Sequence, residues 1–295
     1  MKLSRPWRDR AGHFDAFKAV VFAGILLPAL WTTLAFTLGQ LGALRLNAGI
    51  HLLGIWALRF LFLSLAITPV KEILHWARLV QVRRMIGVAA FAYALAHLLL
   101  YMAEQSFDVA AIAGEIVSRV FLTVGFAGLM GLSILAATST DDMMKYLGGR
   151  RWRRLHRLVY AIAVVATFHY IQQSMLGERE PMVMVGLLSW LLLYRILGAI
   201  LARGPVGLFS VVLLSIFAAS LTALTEAGLI ALASGVGMER VLALNFSLEL
   251  GVRPAWMVAV PGGLLACAGV VPRYHAIVGL KPRIVPASAP KSQRR

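Results

Sequence analysis

The chain has 295 residues, 60% of them hydrophobic and only 14% charged, with mean hydropathy +0.79 and a formal net charge of +16. A soluble domain of this length needs a polar surface that this composition cannot supply, so the soluble globular classes are excluded. The one cysteine, Cys267, excludes an intrachain disulfide, a thiolate zinc site, an iron–sulfur cluster and covalent c-type haem attachment.

In chain order, residues 1–18 form a basic N-terminal segment with Lys2, Arg5, Arg8, Arg10 and Lys18. Uncharged runs follow at 19–44, 85–103, 120–140, 158–177, 204–225 and 254–272. Two further runs are each interrupted by one arginine: 50–70 by Arg59 and 181–202 by Arg195. At roughly 1.5 Å per residue each can cross a hydrocarbon core of about 30 Å. The first run is too long for a signal-peptide core and no small-residue cleavage site follows it, so it is expected to be retained. No barrel-type alternation is present, and backbone groups in lipid must be satisfied internally. The expected fold is all-α: a polytopic transmembrane bundle of about eight spans.

The basic residues fall on one side of that bundle. With eight spans and both termini in the cytoplasm, 23 of the 29 Lys and Arg residues lie on the cytoplasmic side. The densest cluster is RRWRRLHR, residues 150–157. The charge is therefore a topology signal, and nucleic-acid binding is not expected. No strand–helix G-x-G-x-x-G and no P-loop is present, so the chain carries no nucleotide-binding domain. Residues 204–272 contain no histidine and read as two plain spans around a loop at 234–253. Residues 273–295 read as a basic, disordered cytoplasmic tail.

Ionisable residues within spans are costly and point to function. His97 lies in the third span and His169 in the fifth, each 13 residues beyond a cytoplasmic-edge residue, Arg84 and His156. Both therefore sit roughly 20 Å deep, at one level. Two histidines at one depth on neighbouring helices suit the two axial positions of a haem iron. They equally suit bonds between helices or a proton relay. His156, among arginines at the edge, reads by itself as an interfacial histidine. Arg59 lies close to the His97/His169 level; it either pairs with a haem propionate or snorkels to the outer headgroups.

The run TSTDDMMKYLGGRRWRRLHRLVYAIAVVATFHY, residues 138–170, closely resembles the MsrQ (YedZ) family, within the ferric-reductase-like transmembrane superfamily. IHLLGIWALRFLFLSLAITPVKEI, VRRMIGVAAFAYALAHLLLY and VFLTVGFAGLMGLSILAATST in the second, third and fourth spans resemble it too. The resemblance covers about residues 17–203. It implies a b-type haem held by His97, His156 and His169, with FMN as a further cofactor in some members. It implies a quinol or a cytoplasmic flavin reductase as donor and a periplasmic molybdopterin subunit that reduces oxidised methionine as acceptor. The two-haem members of the superfamily carry two histidines on the third span; here there is only His97, unless His75 folds back. Thirteen helical residues turn His156 about 140° from His169, so one haem is expected, at His97 and His169.

The domains expected are a cytoplasmic segment (1–18), a ferric-reductase-like haem domain (19–203), two additional helices (204–272) and a cytoplasmic tail (273–295). The family usually stops after six spans, and the added region has no functional reading. The function expected is a bacterial inner-membrane electron-transfer subunit rather than a self-contained enzyme. Arg153 and Arg154, near His156, would attract the phosphate of a flavin. The alternatives are a ferric-chelate reductase and, in another class, a proton-coupled transporter without haem.

Overall fold

The computed structural model describes residues 6–8, 12–174, 178–201, 206–247 and 251–270. The tail expected at 273–295 lies outside them, as do residues 1–5 and 9–11 of the segment at 1–18. Among the described residues the chain is helical, in eleven α-helices: α1 (Ala16–Thr37), α2 (Arg45–Leu74), α3 (Val80–Glu104), α4 (Val109–Ser118), α5 (Val120–Ala137), α6 (Asp141–Leu155), α7 (Leu158–Gln173), α8 (Arg179–Leu201), α9 (Val206–Ser234), α10 (Met238–Phe246) and α11 (Pro254–Ala268). This is a polytopic helical membrane bundle. Six of its helices are long and apolar enough to cross a membrane. The fifth and eighth expected spans form shorter helices, α7 with 16 residues and α11 with 15.

The expected boundaries shift where local chemistry intervenes. The first helix stops at Thr37, because the chain turns through Gly39 and Gly42 with positive φ. α4 and α10 occupy stretches read as loops, and α6 fills the basic loop. Asp108 and Thr140 cap α4 and α6, accepting from the Ala111 and Met143 N–H groups. α9 continues past residue 225, where the uncharged run ends at Glu226, because Arg253 neutralises that carboxylate.

Side-chain pairs give the helix directions. Gly54 meets His97 and Gly49 meets Leu100, so α2 and α3 run antiparallel. Gly125, Gly128 and Gly131 meet His169, Val165 and Ile162, so α5 and α7 do too. Arg59 bonds Glu180 and Tyr194 bonds Glu72, 13 residues further along α2 and 14 along α8, so these two run parallel. Asp15, Arg78, Arg84 and Asp141 join in two ion pairs, Asp15–Arg78 and Arg84–Asp141. These pairs bind the starts of α1, α3 and α6 together at one basic end of the bundle.

Apolar burial drives helix association weakly in lipid, so close approach and interhelical hydrogen bonds carry more of the specificity. α2 is the central helix, burying Leu53, Ala57, Leu58, Phe60, Leu61, Phe62 and Leu65. On α1, Pro28 disrupts the local ladder, and Tyr93 of α3 occupies the gap. Its hydroxyl donates to the Ile25 carbonyl at 2.6 Å and accepts from the Ala29 N–H at 2.9 Å. α8, α9 and α11 form a second tight packing unit: the Trp190 indole donates to the Ser215 hydroxyl at 2.9 Å, and Gly262 of α11 presses against that same serine.

A methyl group on Gly262 would collide with Ser215, both of whose side-chain atoms are held among buried neighbours. Gly262→Ala should therefore cost about 1–3 kcal/mol, read as a lower melting temperature in detergent. Gly263→Ala meets open space and should leave it unchanged.

Candidate functional site

A cavity of about 400 Å³ opens between α2, α3, α5 and α7, and His97 and His169 both line it. Their ring centroids are 6.4 Å apart and their planes 82° apart. Each imidazole is held in the same way. His97 Nδ1 lies 2.8 Å from the Ile50 carbonyl, and His169 Nδ1 lies 2.8 Å from the Phe121 carbonyl. A carbonyl only accepts, so each Nδ1 carries the proton and donates. Each Nε2 is then left as a neutral lone-pair donor, the tautomer of a metal-ligating histidine with its outer hydrogen bond already made.

A glycine stands one helical turn beyond each acceptor: Gly54 after Ile50 and Gly125 after Phe121. A methyl group at Gly54 would lie 3.0 Å from His97 Nδ1, and one at Gly125 would lie 2.6 Å from His169 Cε1. The two glycines leave the space in which the rings reach the carbonyls. Neither was singled out from the sequence. The signal was there: both lie on helices that neighbour a histidine helix in the chain, and α5 carries Gly125, Gly128 and Gly131 on one face.

The donor set suits a haem iron. A metal–nitrogen bond is about 2 Å, and each ring centre lies roughly an ångström behind its nitrogen; two imidazoles on one iron thus need about the centroid separation found here. Among the described residues no group of three or more His, Cys, Asp or Glu side chains could hold a metal ion. Two imidazoles alone match an iron whose four other ligands come with a macrocycle.

The mouth of the cavity is polar. His51, Tyr101, Glu115 and Arg119 line it. The Tyr101 hydroxyl donates to Glu115 at 2.6 Å, and Arg119 pairs with the same carboxylate at 3.3 Å. Neither His51 nor Arg119 was singled out from the sequence.

Arg59 is not among the residues lining the cavity. Five residues beyond Gly54, it is turned about 140° from the face that meets His97. Its guanidinium bonds Glu180 of α8 at 2.5 Å and lies 4.7 Å from the centre of the Trp56 ring. His156 is likewise away from the cavity. It caps α6, stacks on Trp152 at 3.9 Å and donates from Nδ1 to the Trp152 carbonyl at 3.1 Å. Its Nε2 lies 3.3 Å from the Ser139 hydroxyl. α6 bends at Gly148 (φ 70°), and Trp152 donates to the Thr138 carbonyl at 2.9 Å, docking this basic helix against the end of α5. Arg153 and Arg154 are exposed on it. His75 is exposed in a left-handed turn closing α2.

Residues 53–167 match the ferric reductase like transmembrane component family. The chain is 42% identical over 197 residues to the protein-methionine-sulfoxide reductase heme-binding subunit MsrQ of Rhodospirillum rubrum, covering 66% of this chain and 92% of that relative. The chain belongs to the MsrQ family. The MsrQ proteins of Azospira oryzae and Brucella anthropi are each 39% identical, over 65% and 60% of this chain and 84% and 80% of their own lengths. About a third of the chain is thus outside these MsrQ matches. No solved structure matches it.

Burial, reinforced by the nearby Arg83 charge, holds the His156 imidazole below its ordinary range, against the pull of the Trp152 carbonyl. The unfolded chain then binds the extra proton more readily. The contribution of His156 is present above about pH 6.5 and is lost as pH falls below it. Amide protection factors across residues 138–156, which are corrected for the intrinsic base-catalysed rate, should fall as pH drops from about 7.5 to about 5.5, and His156→Gln should flatten that dependence. A second expectation concerns the glycines. Gly125→Ala should lower the melting temperature in detergent more than Gly54→Ala, in the order of the two approach distances.

Proposed function

We propose that this protein is a b-type haem electron-transfer subunit of the bacterial inner membrane, with His97 and His169 as the residues that would hold the haem iron. The single observation that carries the reading is the matched pair of imidazoles, each donating from Nδ1 to a helix carbonyl and offering Nε2 toward a shared cavity. Family membership supports it: the MsrQ relatives are named as heme-binding subunits of a protein-methionine-sulfoxide reductase.

The haem, when bound, supplies a one-electron iron couple. The chain supplies the rest. The Ile50 and Phe121 carbonyls hold the imidazole protons on Nδ1 and raise the basicity of Nε2, which favours the ferric state. Leu58, Leu61, Leu129 and Leu132 line the inner part of the cavity and keep water from it. Arg119, the arginine that lines the mouth, takes the propionate role first considered for Arg59. The charge asymmetry supports an orientation with the basic end in the cytoplasm and the Arg119 mouth facing the periplasm. Electrons would arrive from the quinone pool or a cytoplasmic flavin reductase and leave at that mouth to a periplasmic molybdopterin subunit that reduces oxidised methionine in proteins. Arg153 and Arg154 give the basic end a cationic surface suited to a flavin phosphate or an acidic donor protein.

Purified protein should carry about one reducible b-type haem per chain. His97→Ala and His169→Ala should each abolish it, and His156→Ala should leave most of it. The near-perpendicular imidazole planes should give the ferric form a strongly anisotropic low-spin electron paramagnetic resonance signal. Haem that survives both His97→Ala and His169→Ala would overturn the ligand assignment.

A further inference from the structure

The mouth of the histidine cavity repeats the two-sided plan of the imidazole pair. On one side His97 is held by the Ile50 carbonyl, and the next residue of α2, His51, lines the mouth. On the other side His169 is held by the Phe121 carbonyl, and Arg119, two residues earlier at the joint of α4 and α5, lines the mouth. His51 precedes Gly54 by three residues and Arg119 precedes Gly125 by six. Both helices run inward from there, so both donors stand outside the imidazole level.

These two groups are available, while their neighbours are committed. The His51 ring makes no hydrogen bond or ion pair among the described residues. Arg119 is engaged through Nη2 alone, which meets Glu115 Oε1 at 3.3 Å. Its backbone is fixed: its N–H donates to the Glu115 carbonyl at 2.9 Å, and its carbonyl accepts from the Leu122 and Thr123 N–H groups. Glu115 has both oxygens in use, since the Tyr101 hydroxyl donates to Oε2 at 2.6 Å. Tyr101 is four residues beyond His97 on α3, so Glu115 ties the α4–α5 joint to the wall that carries His97.

We propose that the mouth is a clamp for two carboxylates on one edge of the cofactor: Arg119 takes one, His51 takes the other, and Glu115 is a positioning residue that aims Arg119. This rests on the haem reading of the His97–His169 cavity and extends it to residues with no role so far. A haem carries two propionates on one edge and apolar substituents on the opposite one. The cavity has matching ends, with leucines inside and donors outside. An arginine fork answers one carboxylate. A second ionised group at the edge of a hydrocarbon core needs a donor of its own. Of the polar residues that α2 brings to the mouth, Asn47 and His51, His51 is nearer the level of His97. A proton relay would bond His51 to a second titratable group, and its ring bonds none. A small anion from solution would use Arg119 and leave the apolar end unfilled.

The test uses the full-length chain in detergent, loaded with haem b or with haem b dimethyl ester, whose two carboxylates are blocked. Release is followed by transfer to apomyoglobin. The wild type should release the ester about tenfold faster than haem, or more. His51→Phe and Arg119→Gln should each speed haem release about tenfold, shift the propionate bending band in resonance Raman spectra, and leave ester release unchanged. His51→Gln, which keeps an N–H donor, should restore most of the retention. Glu115→Gln should shift the same band and add nothing in the Arg119→Gln background, which a merely structural residue would not do.

Equal release of haem and ester from the wild type overturns the clamp without any variant, so a variant that fails to fold leaves the answer intact. Variants that speed haem and ester release alike overturn it too, as does a wild-type rate in His51→Phe. A chain that takes up neither haem nor ester, or one that keeps haem in both His97→Ala and His169→Ala, overturns the reading beneath it instead.

Discussion

In a hydrocarbon environment a polar group has only the protein to bond to, and that constraint organises this molecule. Each imidazole of the central pair must place its N–H somewhere. Each places it on a helix carbonyl, Ile50 for His97 and Phe121 for His169. The hydrogen bond satisfies a donor, and it also chooses the tautomer. A bond needed for stability in lipid therefore leaves the Nε2 lone pair of each ring free. The same constraint sets the glycines, since a carbonyl already engaged within its own helix can be approached by a ring only where the side chain one turn on is missing.

The rest of the bundle repeats this solution with other groups. Tyr93 bridges the backbone gap beside Pro28. Trp190 donates to Ser215, which donates in turn to its own helix. Arg59 binds Glu180 and covers Trp56. None of these is a large energy by itself, because interhelical hydrogen bonds in membranes average well under the cost of a lost core side chain. Together they fix the register of neighbouring helices. Register matters more than stability here, because one turn of slippage would remove His97 from the level of His169.

Much of the fold was legible in the sequence because lipid imposes one strong rule: a run without charge long enough to cross becomes a helix. That rule, read through the single arginines Arg59 in α2 and Arg195 in α8, located the long spans and put His97 and His169 side by side. It failed where charge was locally neutralised. Glu226 seemed to end a span, yet α9 runs on because Arg253, 27 residues later in the chain, returns to pair with it. The counting of depth also has no angular precision. Arg59 was read as lying near the His97 level, but five residues from Gly54 is the wrong face, and only packing shows that its partner is on α8. Conversely, Gly54 and Gly125 carry no charge and no periodic signal. Their role is an absence of atoms, which is visible only when the neighbouring helix is in place.

The same constraint governs the helices beyond the MsrQ matches. Glu226 of α9 is buried, and the Arg253 guanidinium, at the start of α11, donates to its Oε1 at 2.8 Å. Arg253 also donates to Asn245 of α10, and the Asn245 amide donates to the Ala223 carbonyl of α9. Three helices are therefore tied at one point by groups that lipid could not satisfy. An apolar packing of the same volume would be at least as stable, so what the cluster contributes is register: it fixes where α10 and α11 return along α9.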